Sequence, residues 1–334
     1  MANNNIKKEA IEINPQFKTA LDFLEKTNEN VFITGRAGTG KSTLLNYFRN
    51  FTKKEVIVLA PTGVAAVNIG GMTIHSFFHF KPDVTLQKIK KLWGMMNQMY
   101  KAVDMIIIDE ISMVRADLLD CADKFLRLNG KDSRKQFGGI QMVFIGDLYQ
   151  LPQVVKGKEE QIFRTEYKSQ YFFDSHVFES LPMEFIELEK VYRQKDDNFI
   201  KLLNAIRNKS ITENELVEIN KRLNPQFEPT EDEFYITLTT TNKLSDEINS
   251  RRLGKIQSEL YTFKGIVRGE FDRSYFPTAE ELYLKAGSQI MMLNNDKDHR
   301  WVNGSVGKII EIVRDEKEKY SIIVELSDGS IVKV

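Results

Sequence analysis

Short apolar runs punctuate the first half of the chain. They are Val31–Thr34, Glu55–Ala60, Met105–Ile108 and Gln141–Ile145, and each ends in a cluster of Gly, Pro or Asp. Continuous apolar runs of this length suit strands buried on both faces, as in a parallel sheet. Between them the period changes. In Lys41–Phe51 the residues Leu44, Leu45, Phe48 and Phe51 fall on one helical face. Alternating strands and helices predict an α/β fold with a doubly wound parallel sheet. Pro82–Lys101 breaks the rhythm. Leu86, Ile89, Trp93 and Met96 recur at helical spacing with Lys88, Lys90 and Lys91 between them. This reads either as a solvated helix capping the sheet or as an accessory element touching a polymer. Glu187–Arg207 predicts a strand entering a helix, and Tyr235–Thr241 a β-rich run leading into a helix over Asn242–Arg252. A second α/β unit is therefore expected, with its boundary near Leu181. From Ala286 onward Gln289–Leu293, Lys308–Val313, Ser321–Leu326 and Ser330–Val334 read as short strands. Asn303-Gly304 and Asp328-Gly329 are the tight turns of a small β-meander.

Composition narrows the picture. The 334 residues suggest two domains. Lys+Arg and Asp+Glu are both 47, so a nucleic-acid grip would have to be local. No apolar run approaches the ~18 residues of a membrane span. Met1 to Asn14 has no apolar signal core, and its acids argue against a presequence. The lone Cys121 precludes an internal disulfide and fits a reducing cytosol, so a cytoplasmic setting is expected.

The chemistry begins at Gly35-Arg36-Ala37-Gly38-Thr39-Gly40-Lys41-Ser42, followed by Thr43, which fits a phosphate loop between a strand and a helix. Backbone N–H groups from Gly35 to Thr43 would wrap a phosphate, assisted by the helix amino end. Lys41 would reach the β and γ phosphates of ATP, and Ser42 would ligate Mg²⁺. Ile106-Ile107-Ile108-Asp109-Glu110 places two acids at the end of a central strand. Asp109 would hold Mg²⁺, and Glu110 would orient and deprotonate water, a pairing that belongs to ATP hydrolysis. A third strand ends in Gly146-Asp147-Leu148-Tyr149-Gln150-Leu151-Pro152, where the Gln150 amide can report the γ-phosphate.

Taken with Ala60-Pro61-Thr62-Gly63-Val64-Ala65-Ala66, Gly70-Gly71-Met72-Thr73-Ile74-His75-Ser76-Phe77 and Asp109-Glu110-Ile111-Ser112-Met113-Val114, these motifs resemble the Pif family of superfamily-one 5′-to-3′ DNA helicases, kin of the RecD-like helicases. The resemblance runs from about Gln16 to Val334. It implies two RecA-like folds with ATP between them and single-stranded DNA across their tops. It also implies that Gln16 contacts adenine and that Arg193, from the second domain, contacts the γ-phosphate. Sequence-independent single-strand binding needs backbone contacts and stacking faces. Pro61, Thr62, Gly63, Val64, Thr73, His75 and Phe77 are the expected contacts in the first domain, although Phe77, Phe78 and Phe80 fit a core equally well. Thr240, Thr241 and Asn242 resemble the matching loop of the second domain.

The expected domains are residues 1–180, a RecA-like ATP-binding domain with an accessory insertion within about 79–101; 181–265, part of a second RecA-like domain; and 266–334, a linker and SH3-like β insertion. Gln153 departs from the family, which repeats proline there. The family's Lys-Ser-Gln-Gly and Ala-Leu-Ser-Arg segments do not occur before Val334, so the second domain is expected to be cut off. The expected activity is an ATP-driven 5′-to-3′ translocase and helicase serving replication, repair or recombination. Its partner would be single-stranded DNA, with forks or G-quadruplexes left open as preferred forms, and the oligomeric state is open with a monomer favoured. The alternative is a P-loop ATPase that clamps single strands without unwinding.

Overall fold

A computed structural model describes residues 13–36, 38–150, 152–153, 155, 163, 165–190, 196–230, 233–267, 278–294, 296–298, 300–314 and 320–334. The chain divides into two compact units, Met1–Asn220 and Lys221–Val334.

The first unit is built on a six-stranded sheet. Its strands are β1 (Asn30–Gly35), β2 (Val56–Ala60), β3 (Met72–Thr73), β4 (Met105–Ile108), β5 (Gln141–Gly146) and β6 (Met183–Leu188), in the order β3-β2-β4-β5-β1-β6. All pairings are parallel. The predicted β4 has the observed bounds, and β1, β2 and β5 agree to within a residue. Side chains alternate between faces, as the strand period of two requires. Val31, Ile33, Met105, Ile107, Val143 and Ile145 enter one core, which is covered by α1 (Pro15–Lys26) and α2 (Lys41–Arg49). Phe32, Ile106, Ile108, Met142 and Phe144 enter the other. That face is covered by three helices introduced after α3 (Gly63–Asn68): α4 (Ile74–Phe78), α5 (Met95–Ala102) and α6 (Ala116–Asn129). β4 and β5 are buried along their whole length, which explains why they read as unbroken apolar runs.

Three expectations change. Met183–Leu188, expected beyond the domain boundary near Leu181, is the edge strand of the first sheet and pairs with β1 from Asn30↔Met183 to Gly35↔Leu188. The Pro82–Lys101 stretch is not one helix. It is a 3₁₀ turn at Leu86–Lys88 followed, after Gly94, by α5, and Trp93 is 81% exposed. Phe77 is 4% exposed, packs edge-on against Phe78 and Tyr100, and accepts the Tyr100 hydroxyl at its carbonyl, 2.6 Å away. Its ring is core and cannot serve as a stacking platform for DNA.

After α7 (His176–Glu179), the unit ends with α8 (Asp197–Arg207) and α9 (Glu213–Asn220). In the second unit, Tyr235–Thr241 forms no strand, and Leu238 is 90% exposed. Among the described residues this run has no neighbouring strand and so no ladder to join. The helix that follows, α10 (Asn242–Lys255), buries none of its described residues. The core of this unit lies in the β-meander. β9 (Gln289–Met291), β10 (Val306–Arg314), β11 (Tyr320–Leu326) and β12 (Ile331–Lys333) form an antiparallel sheet, preceded by the ribbon of β7 (Tyr261–Lys264) and β8 (Glu281–Leu284). Leu284, Trp301, Ile309 and Val324 share one apolar cluster, with Tyr261 and Phe263 packed against it.

Ile107 is fully buried at the centre of the sheet. Ile107→Ala is expected to lower unfolding stability by about 2–5 kcal/mol, and Trp93→Ala by less than about 0.5 kcal/mol. Chemical denaturation of the two variants checks both.

Candidate nucleotide and DNA site

In a parallel sheet every strand delivers its following loop to the same edge. Along that carboxyl edge the loops occur in the order Thr73–His75, Pro61–Gly63, Asp109–Glu110, Asp147–Gln150 and Gly35–Lys41. β5 lies between β1 and β4, so the Asp147 loop sits between the phosphate loop and the paired acids.

The phosphate loop is shaped by close approach. A Cβ at Gly35 would lie 2.5 Å from the Leu188 carbonyl oxygen and 2.6 Å from Thr39 Oγ1. Gly40 caps α2 with φ 86°, a left-handed conformation that favours glycine, and no side chain caps that helix. Its first N–H groups are therefore available to an anion. Thr39 is 1% exposed and donates from N and Oγ1 to the Arg36 carbonyl, at 3.2 and 2.9 Å. Lys41 Nζ folds back onto its own loop, donating to the Gly35 oxygen at 2.6 Å and the Arg36 oxygen at 3.2 Å. Burial pushes the Lys41 ammonium below its usual range, while the charges of Asp147, Glu110 and Asp109 oppose that shift. Gly38, Ser42 and Thr43 complete the described loop, with the Ser42 and Thr43 side chains exposed. Ala37 lies outside the described residues.

Asp109 is 5% exposed. Burial, reinforced by the Glu110 charge, pushes its carboxyl up to about 6. Its N–H donates to the Leu59 oxygen at 2.9 Å, which ties this loop to β2. Glu110 has φ 51°, rare for a residue with a Cβ. Such backbone strain gathers at functional positions. Among the described residues no group of three or more His, Cys, Asp or Glu could hold a metal ion by themselves. Mg²⁺ commonly takes one or two protein ligands and completes its shell with phosphate and water. A buried Asp109 beside Glu110, with the Ser42 hydroxyl at the loop, fits that donor set.

Asp147 is 2% exposed. Its carboxylate accepts from Tyr149 N at 3.1 Å, Gln150 Nε2 at 3.4 Å and Arg207 at 2.7 Å. Gln150 is thus aligned by Asp147. Gln153, where the family repeats proline, is 5% exposed. It donates through Nε2 to the Gln170 carbonyl, and Gln170 Nε2 returns a bond to the Gln153 carbonyl at 3.4 Å. Side-chain bonds hold the loop where a proline ring would have restricted it.

Gln16, the residue after the first of α1, donates to Glu189 Oε2 at 3.1 Å, just beyond β6. Arg193 lies outside the described residues. Thr62 Oγ1 accepts from Ala65 N at 3.2 Å and Thr73 Oγ1 from Ser76 N at 3.1 Å. As helix caps, both hydroxyls keep their own proton to donate. His75 is held below the usual imidazole range by burial and then by the Arg115 charge, which favours a neutral hydrogen-bonding ring. Pro61 and Gly63 are partly buried at the same edge, and the Val64 side chain lies outside the described residues. Thr240, Thr241 and Asn242 are exposed in the second unit, where Thr241 caps α10. Sequence reasoning missed Arg207. A helical arginine 60 residues from its partner leaves no local signal.

A parallel α/β sheet with a phosphate loop after β1, paired acids after β4 and an amide-bearing loop after β5 is a RecA-like P-loop nucleotide-binding fold. Residues 13–216 match the family model described as PIF1-like helicase, and the chain belongs to that family. It is 33% identical over 318 residues to the ATP-dependent DNA helicase Pif1 of Bdellovibrio bacteriovorus, covering 92% of this chain and 69% of the relative. It is 33% identical over 312 residues to the ATP-dependent DNA helicase PIF1 of Saccharomyces cerevisiae, covering 88% of this chain but 35% of that protein. The crystal structure of Pif1 helicase from Bacteroides in complex with ADP-AlF3 and single-stranded DNA matches with a TM-score of 0.80 at 32% identity, covering 97% of this chain and 74% of that one. Among the described residues no helix is long and apolar enough to cross a membrane.

The raised Asp109 carboxyl has a stability consequence. Its folded value lies above its unfolded one, so its contribution is fully present below about pH 4 and lost as pH rises through about 6. Asp109→Asn removes this loss. The variant should melt with the parent at pH 4 and above it at pH 8, as thermal denaturation across that window would show.

Proposed function

We propose that this chain is an ATP-driven DNA translocase and helicase that moves 5′ to 3′ on single-stranded DNA. The observation that carries the reading is the order of loops along one sheet edge. The expected DNA contacts at Thr62, Thr73 and His75 flank the acids Asp109 and Glu110, which flank the Asp147–Gln150 loop and then the Lys41 loop. Adjacent strands lie ~4.8 Å apart, so nucleotide and DNA groups share a rigid frame.

Lys41 swings from its loop carbonyls to the β and γ phosphates. Glu110 takes the proton of the attacking water, and Gln150 senses the γ-phosphate. Mg²⁺ would be held by Ser42 and Asp109 and would neutralise charge developing on the transferred phosphoryl group. By the family resemblance Gln16 contacts adenine and Arg193 the γ-phosphate. The N–H bond from Asp109 to Leu59 joins the acid strand to the strand that ends at Pro61–Gly63, a direct route between hydrolysis and DNA grip. Thr240, Thr241 and Asn242 provide the second grip.

The first RecA-like domain takes in β6 and runs on through α8 and α9, residues 221–255 belong to the second, and the β-meander is its SH3-like insertion. The polarity rests on the family resemblance, as do forked or G-quadruplex DNA as substrates. A DNA substrate and the buried thiol of Cys121 support a cytoplasmic setting. That the similar proteins are ATP-dependent DNA helicases favours unwinding over a passive clamp.

ATP hydrolysis by the chain should rise on adding oligo-dT, and Lys41→Ala should lower the stimulated rate ~10²-fold or more. Hydrolysis indifferent to both DNA and Lys41 would remove the reading.

A further inference from the structure

We infer that Arg207 is a positioning residue of the nucleotide site, a latch that holds Asp147 and through it the loop that reads the γ-phosphate. The inference deepens the nucleotide-site reading above and rests on it. Arg207 is the last residue of α8, the helix that follows the segment carrying Arg193. Its guanidinium NH1 lies 2.7 Å from Asp147 Oδ2, with side-chain exposures of 17% and 2%. Its Cζ lies 4.3 Å from the centre of the Tyr149 ring. The planar cation thus pairs with the carboxylate and stacks on the neighbouring ring together, a geometry a lysine cannot reproduce. The carboxylate it holds is the acceptor for Tyr149 N and Gln150 Nε2, so one buried acid organises the whole turn.

Removing one member of a buried pair leaves the other charge uncompensated. Asp147 is also the strongest charge acting on Lys41, ahead of Glu110 and Asp109. Without Arg207, the Asp147 carboxylate would turn to Lys41 and compete with the nucleotide phosphates for it. With Arg207 in place, Lys41 is free for phosphate, and Gln150 stays aimed where the γ-phosphate arrives. The latch also ties the sensor turn to α8, so a change at one end reaches the other through a single ion pair.

The test measures affinity for fluorescently labelled ADP and for ATPγS in four forms of the whole chain: parent, Arg207→Gln, Asp147→Asn and the double variant. Arg207→Gln should weaken both nucleotides about tenfold, because Lys41 is diverted. The double variant has neither charge. It should return to within about twofold of the parent for ADP and still lose the parent's preference for ATPγS. Asp147→Asn, an isosteric change that serves if Arg207→Gln does not fold, should keep ADP affinity and lose the same preference. A purely structural role predicts a double variant no better than Arg207→Gln; that result overturns the latch. So does Arg207→Gln with unchanged affinities, or Asp147→Asn with the parent's preference intact. Failure of the parent to bind nucleotide, or unchanged binding in Lys41→Ala, would instead remove the nucleotide-site reading on which the latch rests.

Discussion

The site depends on a charge imbalance built into the edge of the sheet. Three carboxylates, Asp109, Glu110 and Asp147, act on the single ammonium of Lys41, and Arg207 is a second cation beside them. Two of the acids are almost fully buried, Asp109 at 5% exposure and Asp147 at 2%. Buried charges are tolerated only when paired or when they can shed their charge. Asp147 takes the first course through Arg207, while burial shifts Asp109 toward its neutral form, its carboxyl pushed up to about 6. The resting protein therefore holds one acid spoken for and one short of a cation. In the proposed function the second would help hold the Mg²⁺ that comes with ATP.

The sheet makes this arrangement possible. Residues of β1, β4 and β5 alternate between two apolar cores, and both faces are covered by helices. β4 and β5 are buried along their whole length and, Gln141 apart, carry no polar side chain, so functional groups collect where the strands end. Parallel pairing sends all of those ends the same way. The strand order then sets which loops are neighbours: the acids lie one strand from the Asp147 turn and one from the Pro61–Gly63 loop. In the proposed function this puts nucleotide chemistry and DNA contact side by side on one sheet edge.

Much of this was legible in the sequence because it is local. A strand buried on both faces must be an unbroken apolar run, and Met105–Ile108 was readable for that reason. The phosphate loop was readable because its glycines, Lys41 and Ser42 are contiguous. The β-meander was readable from Asn303-Gly304 and Asp328-Gly329, whose glycines adopt φ of 93° and 82°. What failed was decided by distant partners. Phe77 became core because Tyr100 packs on it. Tyr235–Thr241 has strand composition and, among the described residues, no strand beside it. Met183–Leu188 joined the first sheet because β1 had an open edge. Arg207 gave no signal because its meaning lies wholly in Asp147.

The central claim is that the acids at the end of β4 turn a phosphate-binding loop into a hydrolytic site. It is tested most directly by single-turnover ATP hydrolysis with oligo-dT for the parent and Glu110→Gln, alongside their affinity for a fluorescent ATP analogue. Affinity should stay within about twofold, while the hydrolysis rate falls ~10²–10⁴-fold. Undiminished hydrolysis by Glu110→Gln would contradict the account.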